Sequence, residues 1–130
     1  MKQTFRKHER LHRKSLITKL FEEGYSFNVK PFRVITLKTE PLSDNPVQLL
    51  ISVPRYLYKR AVDRNLIKRQ VREAFRKNKQ ELLTSLSENH ITLLVCIRYQ
   101  SKEIIPSQSV QDKIIVILQR LKDGYGKTSG

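Results

Sequence analysis

Leu16, Ile17, Leu20 and Phe21 recur at helical spacing and predict a helix from about Arg13 to Glu23, with Gly24 as its stop. The period then changes. Phe32–Thr39 reads as a strand with apolar residues on both parities, Phe32 and Val34 on one face and Ile35 and Leu37 on the other. A turn-rich stretch bounded by Pro41 and Pro46 follows. Val47, Leu49, Ile51 and Val53 alternate with Gln48, Leu50 and Ser52 as a second strand, and the alternation returns at Ile91, Leu93, Val95 and Ile97. Between these strands runs one long helical pattern, about Arg60 to Leu86. After Pro106 a last helix, capped by Ser107 or Ser109, carries Val110, Ile114, Ile117, Leu118 and Leu121 on one stripe and ends at Gly124. Helix, strand, strand, long helix, strand, helix is an α+β or mixed α/β order with at least three strands in the sheet.

A chain of 130 residues is about one domain, large enough for one core. The reading is a single domain over 1–130, with a basic arm over about 1–10, pinned by Phe5, and a disordered tail from about 124. One cysteine, Cys96, excludes an intrachain disulfide and a cysteine-based zinc site. The longest apolar runs, Leu93–Ile97 and Ile114–Leu118, are far short of a membrane span of ~20 residues, and no signal peptide is visible. These features predict a small, soluble, cytoplasmic protein.

Charge changes the picture most. The formal net charge is +14, and it is concentrated. Residues 55–79 carry ten basic side chains against Asp63 and Glu73, and residues 2–19 carry seven against Glu9, which accounts for the whole excess. Such concentration costs self-repulsion unless a polyanion is near. At ~100° per residue from Arg64, Lys68 falls near ~40°, Arg72 ~80°, Asn65 ~100°, Arg76 ~120° and Arg69 ~140°, while Ala74, Ile67, Val71 and Phe75 occupy ~280° through 20°. One face therefore packs on a core, and the adjoining arc presents cations over ~18 Å of a rigid rod. Arginine's planar fork suits bidentate contact with phosphate oxygens. Asn65 adds a donor and acceptor for a base edge or 2′-hydroxyl. Nucleic acid is the favoured polyanion; a basic amphipathic helix also suits an anionic membrane or an acidic partner.

Catalytic groups are sparse. Nuclease chemistry by the protein needs paired carboxylates for metal or a histidine pair for proton transfer. Asp63 and Glu73 lie ten residues apart in the basic helix, where charge pairing is the simpler role. His8 and His12 share an i, i+4 spacing without a third ligand, and His90 opens a strand as a capping or exposed residue. Cys96 reads as a small structural thiol, without a cationic sequence neighbour to activate it. No glycine-rich phosphate loop is present. Neither a catalytic site nor a protein-bound metal is expected in this chain.

Ser52-Val-Pro-Arg55 followed by Ala61-Val-Asp-Arg64-Asn65-Leu-Ile-Lys68-Arg69-Gln-Val-Arg72-Glu-Ala-Phe75-Arg76 resembles the signature of the protein component of bacterial ribonuclease P. Glu9-Arg10-Leu11, Phe21, Gly24 and the strand opening at Phe32 agree, so the resemblance runs over about residues 5–122. It implies an αβββαβα α/β sandwich: a small mixed sheet packed with helices, including an extra short strand and a left-handed crossover through the arginine-rich helix. It also implies binding to a large catalytic RNA and to the 5′ leader of precursor tRNA. The RNA, with its bound Mg2+, would cleave the phosphodiester, making the particle an endoribonuclease. Membrane and DNA are not among the implied partners.

Carried over residue by residue, Arg64 and Asn65 match the family's Arg-Asn-Arg motif, with Leu66 in place of the third member and pointing near ~200°, away from the cationic arc. Lys68, Arg69 and Arg72 match other basic positions. Arg76 and the preceding Arg55, Lys59 and Arg60 complete the expected RNA-binding set. The implied leader cleft is assigned to Ile17, Phe21, Phe32, Ile35 and Ser52. Ile17 and Ile35 stand where the family commonly has aromatics. Base–aromatic stacking contributes about 1–3 kcal/mol per base, so weaker or differently placed leader contacts are expected, with Tyr56 or Tyr58 of the longer 55–60 loop as compensation. A ribosomal-type structural RNA-binding protein is the alternative reading. A DNA regulator with the basic helix in the major groove lacks the helix–turn–helix partner, because Val47–Val53 reads as a strand.

Overall fold

The computed structural model describes residues 13–41 and 45–125. The expected arm, with Phe5, His8 and His12, and the tail from 126 lie outside the described residues. The elements are α1 (Lys14–Glu23), β1 (Tyr25–Val29), β2 (Phe32–Thr39), β3 (Val47–Ser52), α2 (Ala61–Asn78), α3 (Gln80–Glu88), β4 (Thr92–Tyr99) and α4 (Ser107–Tyr125). With α3 continuing α2, this is the αβββαβα order of an α+β fold.

The sheet order is β1-β2-β4-β3; β4 pairs antiparallel with β2 and parallel with β3. The uninterrupted run Leu93–Ile97 is buried on both parities because β4 is central and both sheet faces are covered there. On one face, Ile67, Val71, Ala74 and Phe75 of α2 and Val110, Ile114, Ile117, Leu118 and Leu121 of α4 close over Phe32, Val34, Val47, Leu49, Leu93, Val95, Ile97 and Tyr99. Both helical stripes are those expected from the sequence. On the other face α1 buries Leu20 against Ile35, Leu94 and Cys96, flanked by Leu16, Ile17, Leu37 and Leu50.

Several expectations are corrected. The 60–86 helix is interrupted at Lys79, which stays in the right-handed helical region but separates α2 from α3. Asn78 Nδ2 donates to Ala74 O at 2.8 Å, competing for a ladder carbonyl, and Lys79 is buried with its ammonium 5.9 Å from the Phe75 ring centroid. The short strand β1 escaped the periodicity reading, although Tyr25, Phe27 and Val29 alternate with Ser26 and Asn28. The last helix starts at Ser107, and its first turn closes on the carbonyl of Pro106, which accepts from Val110 N at 3.1 Å. Ser107 Oγ instead accepts from Gln70 Nε2 at 3.2 Å, tying α4 to α2. That helix continues through Gly124 to Tyr125, so Gly124 does not end it.

Gly24 does end α1, with extended rather than left-handed geometry. Its glycine requirement is one of close approach: a Cβ there would lie 2.3 Å from Leu20 O and 2.9 Å from Ile35 Cγ2. Burial of Leu20 and Ile35 depends on this contact between the helix end and β2.

Candidate nucleic-acid interface

Four apolar residues of α2 face the core, and this fixes the rotation of the remaining side chains. Asn65 and Arg69 are exposed; Lys68, Arg72 and Arg76 are half-buried along the flank. Arg76 donates to Glu73 through both Nε (3.1 Å) and Nη2 (2.6 Å), with Lys77 Nζ 3.9 Å from the same carboxylate. The hydrogen bond from Arg76 holds the Glu73 carboxyl below its ordinary range, and the charges of Arg76 and Lys77 act in the same direction. Glu73 thus pairs locally, as the sequence suggested.

Arg64 is placed differently from its neighbours. Its Nη1 donates to Tyr58 O and to Lys59 O, both at 2.8 Å, so the guanidinium ties the start of α2 to the preceding loop. That loop carries Arg55, Lys59 and Arg60, all exposed. Tyr58 anchors it from inside, with its ring centroid 6.1 Å from that of Tyr99. Burial first, then the neighbouring Tyr99, pushes the Tyr58 hydroxyl up to about 12. Tyr58 is therefore unavailable for stacking on a ligand, whereas Tyr56 is 71% exposed. Leu66 and Val62 line a surface hollow with Asp63, Asn65, Arg69 and Arg72, and Leu66 also borders a second hollow toward Ser107 and Gln111 of α4.

The five residues assigned to the leader cleft do not share one surface. Phe32 is 1% exposed and packs edge-on against Tyr99 in the α2–α4 core. Strand alternation puts it on the face opposite Ile35, so it cannot line a cleft beside α1. Ile35 is buried under α1 and Ile17 packs partly against the same cluster. Phe21 remains 47% exposed and Ser52 half-exposed.

Two basic residues of this face were missed: Arg33 is exposed and Arg98 half-buried, and the sheet register sets them directly opposite each other. Their parity was readable, but not the pairing of β2 with β4. Arg98 also corrects the statement that Cys96 has no cationic neighbour. Burial nevertheless dominates over the Arg98 charge and pushes the Cys96 thiol up to about 11. Among the described residues, no group of three or more His, Cys, Asp or Glu side chains converges, and no helix is long and apolar enough to cross a membrane.

Comparison with known proteins bears directly on this cationic surface. The ribonuclease P family model matches residues 5–122. The ribonuclease P protein component of Porphyromonas gingivalis is 35% identical over 105 residues, covering 81% of this chain and 77% of that protein. That of Chlorobium phaeobacteroides is 39% identical over 88 residues, covering 65% and 60% respectively. Among solved structures, the RNase P protein of Thermotoga maritima bound to a fluorophenyl thiourea superposes with a TM-score of 0.69 at 27% identity, over 85% of this chain and 98% of that one. The RNase P protein of Staphylococcus aureus gives 0.66 at 25% identity, over 88% and 95%. A match over the arginine-rich helix, the sheet and the last helix together makes this chain a member of the ribonuclease P protein component family.

Proposed function

We propose that this chain is the cytoplasmic protein subunit of ribonuclease P, folded as one RNA-binding domain that grips the catalytic RNA and the 5′ leader of precursor tRNA. The observation that carries the reading is the cationic flank of α2, from Asn65 to Arg76, continuous with the exposed basic loop before it. Asn65, Lys68, Arg69 and Arg72 contact the RNA subunit, mostly at phosphates, and Arg55, Lys59 and Arg60 extend that contact. Arg64 contributes by holding their loop against the helix. Each phosphate neutralised releases counterions, so affinity falls steeply with salt.

The described side chains offer no cluster suited to holding a catalytic metal, so no chemical step is assigned to them. Mg2+ bound by the RNA subunit supplies the cleavage chemistry. The protein's cations offset the phosphate repulsion that otherwise opposes docking of two polyanions. This predicts the largest benefit when magnesium is scarce.

Multiple-turnover cleavage of a precursor tRNA by the cognate RNA at low magnesium tests the reading. Stimulation by wild-type protein that is lost in a folded Arg69→Ala/Arg72→Ala variant is expected. An RNA active at high magnesium but unaffected by the protein at low magnesium would favour a ribosomal-type binder.

A further inference from the structure

The segment between β3 and α2 alternates in pairs. Val53 and Pro54 are buried and Arg55 and Tyr56 exposed; Leu57 and Tyr58 turn inward again, and Lys59 and Arg60 return to solvent. Leu57 and Tyr58 pack on the core beneath α2 and α4, so this loop belongs to the side of the sheet opposite α1. The backbone N–H groups of Leu57 and Tyr58 both donate to Pro54 O at 3.2 Å. They close a tight turn with Arg55 and Tyr56 at its two corner positions. Behind it, Arg64 Nη1 holds the carbonyls of Tyr58 and Lys59. The turn is thus fixed at both ends, and its corner side chains point outward from a rigid base.

Tyr56 is 71% exposed, more than any other large apolar side chain among the described residues. Among those residues no second ring and no cation packs on it. Phe27, by contrast, lies beneath the Arg120 guanidinium and beside Tyr25. The flanking charges are Arg55, Lys59 and Arg60, and residues 53–60 contain no acid.

An open aromatic face inside a ring of cations calls for a partner that is flat, apolar in its plane and negatively charged at its edge. An unpaired nucleotide has that composition: a base with a π face and a phosphate on either side. Stacking of this kind tolerates any base, and the fixed turn leaves little backbone entropy to lose on binding. The loop runs directly into the cationic flank of α2, which favours the RNA subunit over the precursor as the source of the base. We propose that Tyr56 stacks on an unpaired base of the RNA subunit while the neighbouring cations hold that nucleotide's phosphates. The inference rests on the function proposed above and adds a base contact to the phosphate grip.

Salt separates stacking from charge. Removing a phosphate contact makes the dependence of log affinity on log salt shallower by about one, whereas removing a stacked ring leaves that slope unchanged. The test measures affinity of the full chain for the cognate RNA subunit across a salt series. Tyr56→Ala should weaken binding about fivefold or more at an unchanged slope, and Tyr56→Phe should stay within about twofold of wild type. Arg55→Ala should weaken binding with the shallower slope. In an Arg64→Ala background, where the turn is released, Tyr56→Ala should cost less. Equal urea midpoints for wild type and Tyr56→Ala confirm that the exposed position leaves folding intact. An RNA affinity within twofold of wild type for folded Tyr56→Ala would overturn the stack. An equal loss in Tyr56→Phe would also overturn it, by assigning the effect to the hydroxyl. A Tyr56→Ala loss that appears only in holoenzyme affinity for precursors with a long leader would place the base in the leader and overturn the assignment to the RNA subunit. A wild-type chain that neither binds nor stimulates the RNA would instead sink the function on which the stack rests.

Discussion

The two faces of the sheet carry unequal cores. Among the described residues, more than twenty buried ones form one cluster beneath α2 and α4, and four do so beneath α1. The thick face holds the fold and, in doing so, fixes the rotation of α2 and the direction of its cations. Among the described residues the thin face leaves Arg33 and Arg98 outside its apolar cluster, directly opposed as a like-charged pair. The side that carries most of the core thus also orients the cationic flank of α2, whereas the α1 side leaves these two arginines outside its apolar cluster.

The comparison can be broken most directly by removing volume from each side. Phe75→Ala on the thick face should cost about 3–5 kcal/mol, against about 2 kcal/mol for Leu20→Ala, whose smaller site collapses more readily. Urea unfolding midpoints measure both, and equal losses would erase the distinction.

The buried thiol offers a pH-dependent version. Its folded pKa of about 11 lies above the ordinary 9, so the unfolded chain releases this proton first as pH rises. The Cys96 contribution to stability is therefore intact below pH ~9 and falls by up to about 2–3 kcal/mol as pH passes through ~11. Unfolding curves of wild type and Cys96→Ala between pH 8 and about 11 isolate this slope from other titrations, and identical slopes would count against it.

Gly24→Ala sharpens the comparison by moving α1 alone. The added methyl meets backbone at Leu20 and side chain at Ile35, with an expected cost of about 1–3 kcal/mol. Leader-dependent affinity should drop while affinity for the RNA subunit, carried by α2, stays within about twofold. Arg64→Ala should cost about 1–2 kcal/mol through its two carbonyl bonds. Amide exchange at Leu57 and Tyr58, which donate to Pro54 O, should accelerate if Arg64 holds this loop. The smallest effect has the opposite sign: Arg33→Thr relieves the opposed charges and should stabilise the free protein by about 0.2–1 kcal/mol, raising its calorimetric midpoint by a few degrees at most.

Much of the thick face was legible in the chain. Ile67, Val71, Ala74 and Phe75 repeat at helical spacing, and all four are buried; the stripe on α4 behaves likewise. Gly24 was legible as a helix stop, but not as a point of close approach, because the neighbouring Ile35 belongs to another element. Phe32 shows a sharper limit. Its parity with Val34 already opposed its place beside Ile35, yet assignment by resemblance overrode the alternation. Tyr58 and Tyr56 are equivalent as sequence letters, and only the packing of Tyr58 against Tyr99 separates them.

Taken alone, the sequence determined the order of most elements, the apolar stripes of the two long helices, the clustering of charge on one of them and the family to which these belong. Each of these is a local property: periodicity, composition or a contiguous motif. Tertiary structure decided which carbonyls Arg64 holds, that Lys79 is buried, and that Arg33 and Arg98 stand opposite each other. Those outcomes depend on strand order and register, which bring together residues far apart in the chain. No period within a single segment encodes its neighbour.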